Sequence, residues 1–221
     1  MIFYIDFFVS TIIRNFDIIK ILKNMITSKD LQHTFPQRAH DLVALFNNTN
    51  KMSTFMNKLE KQSLKDPDRY DPDKYKGDAF EYFVEIFLKT HSCDNRVGIT
   101  DYTPVQSEDN GVDGTGINLS GVRCAVQVKY RGNTQSFLTA NKDHLSNLVT
   151  DAHLKFGIVK TEKTSDVPNY YVITTANGLH HYTDNEFFRG YVKCIGFDDL
   201  RAFLDGNLSF WNLCREISKQ Y

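Results

Sequence analysis

Three polar residues stand out by type and spacing. Asp113 lies between glycines in Gly111-Val112-Asp113-Gly114, and Gln127 and Lys129 follow in Ala125-Val126-Gln127-Val128-Lys129-Tyr130. On a strand, Gln127 and Lys129 project from one face while Val126 and Val128 turn to the other, toward a core. A hairpin running from Asp113 to Gln127 brings all three polar groups to one end of a sheet. A carboxylate binds a hard divalent cation, which polarises a phosphoryl oxygen and lowers the pKa of a bound water. A Gln carbonyl is a neutral oxygen ligand beside it. Lysine, a compact charge on a flexible stem, orients the attacking water or stabilises developing charge. The chemistry this set suits is phosphodiester hydrolysis.

These residues need a scaffold, and the pattern around them supplies one. Asp78-Ala79-Phe80-Glu81-Tyr82-Phe83-Val84-Glu85 opens an amphipathic helix over 78–91, with Asp78 as its N-cap. At about 100° per residue, Phe80, Phe83, Val84, Phe87 and Leu88 form its apolar stripe. Glu81 falls at the edge of that stripe and is positioned to reach a metal. Glu85 falls further toward solvent and reads as a surface charge. The segments 111–119 and 121–132 read as two strands joined by a turn at Gly121. A helix over 141–155, strands at 157–160 and 170–178, and closing helices at 197–206 and 208–219 complete the pattern. The class is α/β, a mixed central sheet flanked by helices.

Upstream, residues 1–60 read as a helical N-terminal segment, with apolar positions at helical spacing in Leu42, Leu45, Phe46 and again in Phe55, Met56, Leu59. Asn47-Asn48-Thr49-Asn50 separates the two. Residues 61–77, with two Asp-Pro steps and many charges, read as a linker. The catalytic domain is expected over 78–221.

The bulk numbers exclude several classes. Of 221 residues, 41% are hydrophobic and 24% charged, an ordinary soluble composition. The net charge of −1, from 26 basic and 27 acidic residues, excludes a wholly basic, histone-like binder. Four scattered cysteines and seven histidines show no structural-zinc spacing, which points to a reduced intracellular, cytoplasmic protein. His180 and His181 are adjacent and read as structural or surface residues, as does His144. The apolar first 26 residues are broken by Asp6, Arg14, Asp17 and Lys20, each costing on the order of 2.5–3.5 kcal/mol at mid-bilayer. They read as a helix packed on the domain or on a partner chain, without stable membrane insertion.

The order Gly77-Asp78-Ala79-Phe80-Glu81, then Gly111-Val112-Asp113-Gly114-Thr115-Gly116, then Val126-Gln127-Val128-Lys129-Tyr130 resembles the PD-(D/E)XK nuclease superfamily. It is most similar to the Mrr-like restriction-endonuclease branch, in which Gln can replace the acidic residue of the motif. The resemblance runs over roughly residues 74–215, through Val172-Ile173-Thr174-Thr175-Ala176-Asn177 and the 197–211 ending; Val112 stands where the family has Pro. It implies a restriction-endonuclease-like sheet, Mg²⁺ (with Mn²⁺ as substitute) held by Glu81, Asp113 and Gln127, and a catalytic Lys129. Residues 116–165 carry seven basic against three acidic residues, and phosphate contacts are expected from Arg131 and Lys142. Gln135 and Ser136 follow closely, with ordinary loop roles as the alternative. The expected activity is metal-dependent cleavage of DNA, restriction-like, by a homodimer or higher homo-oligomer. The alternatives are a Holliday-junction resolvase-type nuclease and an inactive DNA-binding module of the same fold.

Overall fold

The computed structural model describes residues 26–32, 39–92, 94–105, 111–140, 142–160, 167–180 and 191–220. The expectation for the apolar first 26 residues therefore lies almost wholly outside the described residues, and that for His181 lies outside them too. A short 3₁₀ turn, Ser28–Asp30, precedes α1 (Ala39–Phe46), α2 (Met52–Ser63) and α3 (Pro72–Thr90). Then come β1 (Ile99–Pro104), β2 (Gly114–Asn118) and β3 (Arg123–Lys129). The short β4 (Phe137–Leu138) leads into α4 (Leu145–Phe156), β5 (Tyr170–Thr174), β6 (Gly178–Leu179) and β7 (Val192–Ile195). Two helices close the described chain, α5 (Phe197–Leu204) and α6 (Leu208–Ser218).

The protein is thus α/β: helices first, then a five-stranded mixed sheet in the order β1-β2-β3-β5-β7 with helices flanking it. β1, β2 and β3 pair antiparallel, and β3, β5 and β7 pair parallel. The β2–β3 hairpin turns at Gly121, as its spacing predicts. Gly121 adopts φ +73°, and Asn118 Oδ1 accepts from the Ser120 and Val122 amides at 3.0 Å. The parallel β3–β5 pair needs a crossover, which α4 supplies.

Side chains alternate across the sheet into two cores. Cys124, Val126 and Val128 of β3 and Tyr171 and Ile173 of β5 join α1, α2, α3, α5 and α6. Ala125 of β3 and Tyr170 and Val172 of β5 join α4 instead. The first core is aromatic: Phe55 stacks between Phe46 and Phe83, and Phe83 on Trp211. Burying each such ring contributes roughly 1.5–3 kcal/mol. That core runs without a break from Ile26 to Ile217. The two ends of the described chain also meet directly, the Ser28 amide donating to Gln220 Oε1 at 3.0 Å. No helix among the described residues is long and apolar enough to cross a membrane.

The structure corrects several expectations. α2 runs to Ser63 and α3 begins at Pro72, so residues 61–63 and 72–77 are helix rather than linker. The N-cap of α3 is Asp71, whose carboxylate accepts from the Asp73 amide at 2.8 Å. The second Asp-Pro step is thus a helix start: an N-cap acid followed by Pro at the first helical position, where no amide bond is lost. Residues 157–160 form no strand; Ile158 packs in the smaller core as a loop residue. β1 and β7 of the main sheet, and the short parallel pair β4–β6, are strands beyond those that the apolar runs predict.

Candidate metal centre

Asp113 is fixed from both sides by its glycines. A Cβ at Gly111 would meet the Asn147 backbone of α4 at 2.5 Å, and one at Gly114 would meet the Tyr102 ring at 2.4 Å. The Gly111 amide donates to Asp151 Oδ2 at 2.7 Å, holding the approach to the strand against α4. Chain direction through Asp113 is therefore set by close packing that only glycine allows.

The paired register of the hairpin ends with Gly114 opposite Val126, and Asp113 is the residue just before it, beside the segment of β3 that carries Gln127. The Asp113 amide donates to the Val126 carbonyl at 2.9 Å, and Asp113 Oδ2 accepts from the Val128 amide at 2.6 Å. The carboxylate thus takes a bond that a longer β2 would have supplied. β2 begins at Gly114 and β3 ends at Lys129, so Asp113, Gln127 and Lys129 lie at this end of the hairpin.

Gln127 is 1% exposed, and its Oε1 has no hydrogen-bond partner among the described residues. Strand alternation sets it and Lys129 on the α4 side of the sheet, opposite Val126 and Val128, as expected. A buried amide oxygen left without a donor costs about 1–3 kcal/mol. An orphan acceptor of this kind is suited to a cation.

The electrostatics gather the remaining groups. Burial, opposed by the Val128 amide and the Lys129 charge, pushes Asp113 up to about 6. Burial, followed by the charges of Asp113 and Asp78, pushes Glu81 up to about 8, while Lys129 and Lys74 pull it down. The charges of Asp113 and Lys129 thus act on Glu81 and that of Lys129 on Asp113, and Gln127 lies between the two β3 residues that Asp113 binds. Burial and the charges of Asp113, Glu81 and Glu85 also raise the Tyr102 hydroxyl well above its ordinary range. Tyr102 is absent from the expected set because β1 is; its only sequence signal is an aromatic ring alternating with polar residues in Ile99–Pro104.

Glu85 is the clear correction. It is fully buried rather than on the surface, because the segment around Gln32 covers a second side of α3. Lys89 Nζ lies 2.9 Å from its carboxylate, and the Gln32 amide donates to it at 2.8 Å. A helix wrapped on two sides buries more than its hydrophobic stripe.

The end of β3 is closed by two threonines that enter the sequence argument only through the resemblance. Thr174 Oγ1 donates to the Lys129 carbonyl at 2.7 Å, and Thr175 Oγ1 accepts from the Arg131 amide at 2.6 Å. Arg131 lies beyond the strand rather than on its face. Its guanidinium is paired with Asp143 through Nε at 3.0 Å and through Nη2, so its charge is locally balanced. Lys142 is exposed on the turn before α4, next to Asp143. His144, with φ +54°, caps the same helix and is exposed.

Among the described residues, no group of three or more His, Cys, Asp or Glu side chains is arranged to hold a metal. The candidate set is instead two carboxylates and one amide oxygen, a donor set suited to Mg²⁺, which keeps several waters and takes one or two carboxylates. Comparison with protein-family models, with curated proteins and with solved structures finds no match to this chain, so the chemistry of the site rests on its own residues.

Proposed function

We propose that the protein is a metal-dependent DNA nuclease of the PD-(D/E)XK kind, with Glu81, Asp113 and Gln127 as metal ligands and Lys129 as the catalytic cation. The observation that carries this reading is the Gln127 oxygen, buried and without a hydrogen-bond partner among the described residues, between the two β3 residues, Val126 and Val128, that Asp113 binds. A buried site with two carboxylates and an orphan carbonyl is costly as it stands. A divalent cation relieves each of those costs at once. The bound ion would supply Lewis-acid polarisation of the phosphate and a more acidic water.

The chain's own groups do the rest. The Val128 amide holds one Asp113 oxygen, fixing the carboxylate plane. Lys129 presents its ammonium on the same strand face as Gln127 and neutralises charge on the phosphate as the bond to the leaving oxygen breaks. Glu81 holds a proton near neutral pH while no cation is beside it, since burial and the Asp113 charge disfavour its anion. Lys142, exposed before α4, is a phosphate contact outside the site. Arg131 serves the fold through Asp143 first.

One observation favours a second reading. Gln127 brings no charge, so the cation is held by two acids rather than three, and a DNA-binding module without cleavage follows if that is too weak. The test is Mg²⁺- or Mn²⁺-dependent cleavage of supercoiled, linear, single-stranded and four-way-junction DNA. Cleavage by the wild type that disappears in Asp113→Ala and Lys129→Ala supports the nuclease. DNA binding with no cleavage under any metal supports the binding module, and cutting confined to junctions supports a resolvase-type enzyme.

A further inference from the structure

Tyr130 follows Lys129 directly and reaches back to the N-terminal helices. Its hydroxyl donates to Glu60 Oε1 on α2 at 2.7 Å. The other oxygen of Glu60 accepts from Lys76 Nζ at 3.3 Å, and Lys76 stands on α3 just over one turn before Glu81. The Lys76 ammonium also lies 5.9 Å from the centre of the Tyr130 ring and 2.9 Å from Asp73. Phe80, the neighbour of Glu81, meets that ring edge-on at 6.0 Å. Gly132 leaves room for the carboxylate, since a Cβ there would stand 3.0 Å from Glu60 Oε1.

Lys76 is balanced by two acids, which removes it from the pool of phosphate contacts. The cluster's geometry has another use. The Lys129 ammonium sits on a flexible stem, so its position depends on the backbone at the end of β3. On one side Thr174 holds that end; on the other, Tyr130 ties it to the helix layer. We propose that Glu60, Tyr130 and Lys76 form a brace through which α2 sets Lys129 relative to Glu81, making these residues positioning residues of the site. The role in catalysis rests on the nuclease reading; the mechanical tie does not.

The test uses the full chain and pairs amide hydrogen exchange with cleavage of supercoiled DNA across a Mn²⁺ titration. In Tyr130→Phe, exchange at residues 129–132 is expected to rise about tenfold while the rest of the sheet is unchanged. Its kcat is expected to fall about tenfold with KM for DNA within about twofold, the effect of a misplaced group rather than lost binding. Glu60→Ala should match it, and the double variant should be no worse than either single, because both remove one interaction. The remote surface change Glu216→Gln, on α6, should alter neither measurement. Unchanged exchange in Tyr130→Phe overturns the brace whether or not the wild type cuts. Faster exchange with unchanged kcat, or strictly additive losses, overturns it too. Absence of cleavage by the wild type sinks the nuclease reading, and exchange then decides the tie alone.

Discussion

The two faces of the sheet are built from different materials. One is thick and aromatic, with Phe46, Phe55, Phe80, Phe83, Phe87 and Trp211 all buried among five helices. The other is thinner, with one helix among the described residues over a smaller, mainly aliphatic cluster that includes Ala125, Leu148, Ala152 and Val172 and one large ring, Tyr170. The candidate site residues of β3, Gln127 and Lys129, lie on the thin side. The main core and the candidate site are thus separated by one strand's alternation: the thick face offsets the unsatisfied polarity that the thin face retains. Glu81 is the exception, sent to the rim by a helix of the thick face.

The largest expected effects test that separation directly. Phe83→Ala, which removes a ring stacked on Phe55 and Trp211, is expected to cost about 3–5 kcal/mol in a denaturant titration. Lys129→Ala is expected to lower cleavage at least about 10²-fold while leaving stability within about 1 kcal/mol. Comparable destabilisation by both would break the division between faces. Next in size is a contrast within α3. Glu85→Ala leaves Lys89 and the Gln32 amide without their carboxylate and is expected to cost about 3 kcal/mol. Glu81→Gln is expected to leave the metal-free protein as stable or more so, while weakening Mn²⁺ binding measured by calorimetry. If Glu81→Gln proves the more damaging, the roles assigned to the two acids are reversed.

The smallest effect is a slope with pH. Glu81 moves from an ordinary 4.5 to about 8 and Asp113 from 3.8 to about 6 in the folded protein. Between those limits the folded state holds protons that the unfolded chain has released, so stability falls as pH rises. That contribution is complete below the ordinary values and gone above about 8. Thermal unfolding of the chelator-treated protein should show Tm falling from pH 5 to pH 8, and Glu81→Gln should flatten the upper part of the slope. A Tm that climbs over this range contradicts the burial of the two acids.

Much of the site is legible in the sequence because its signals are local. Asp113 between glycines and the period-two run through Val126, Gln127, Val128 and Lys129 carry their own geometry, and the structure has the β2–β3 hairpin and the strand alternation that this pattern implies. The α/β class likewise comes from the order of periodic segments. The start of α3 is not legible, because Asp-Pro serves equally as a breaker and as a cap and the helical residues after it decide between the two. Glu85 escapes a helix-phase argument because burial on a second side depends on the Gln32 segment, far away in sequence. The same holds for Glu60 and Tyr130, whose bond joins residues seventy positions apart. β1 is interrupted by polar residues and β7 is only four residues long, so neither announces itself; both are edge strands that the sheet defines by pairing.

The unbroken core from Ile26 to Ile217 has a consequence for how the molecule comes into being. Trp211, Cys214 and Ile217 of α6 pack with α1, α2 and α3, which precede them by more than a hundred residues. Contacts so distant along the chain make folding slow, because a long loop must close before it is rewarded. On the ribosome, the β2–β3 hairpin with Asp113 and Gln127 can form early, yet the helix layer that braces it lacks its closing partner until residues 208–218 emerge. The helix layer therefore gains α6 only well after the hairpin, so that a chain made as far as β3 carries Asp113, Gln127 and Lys129 without the frame that aligns them.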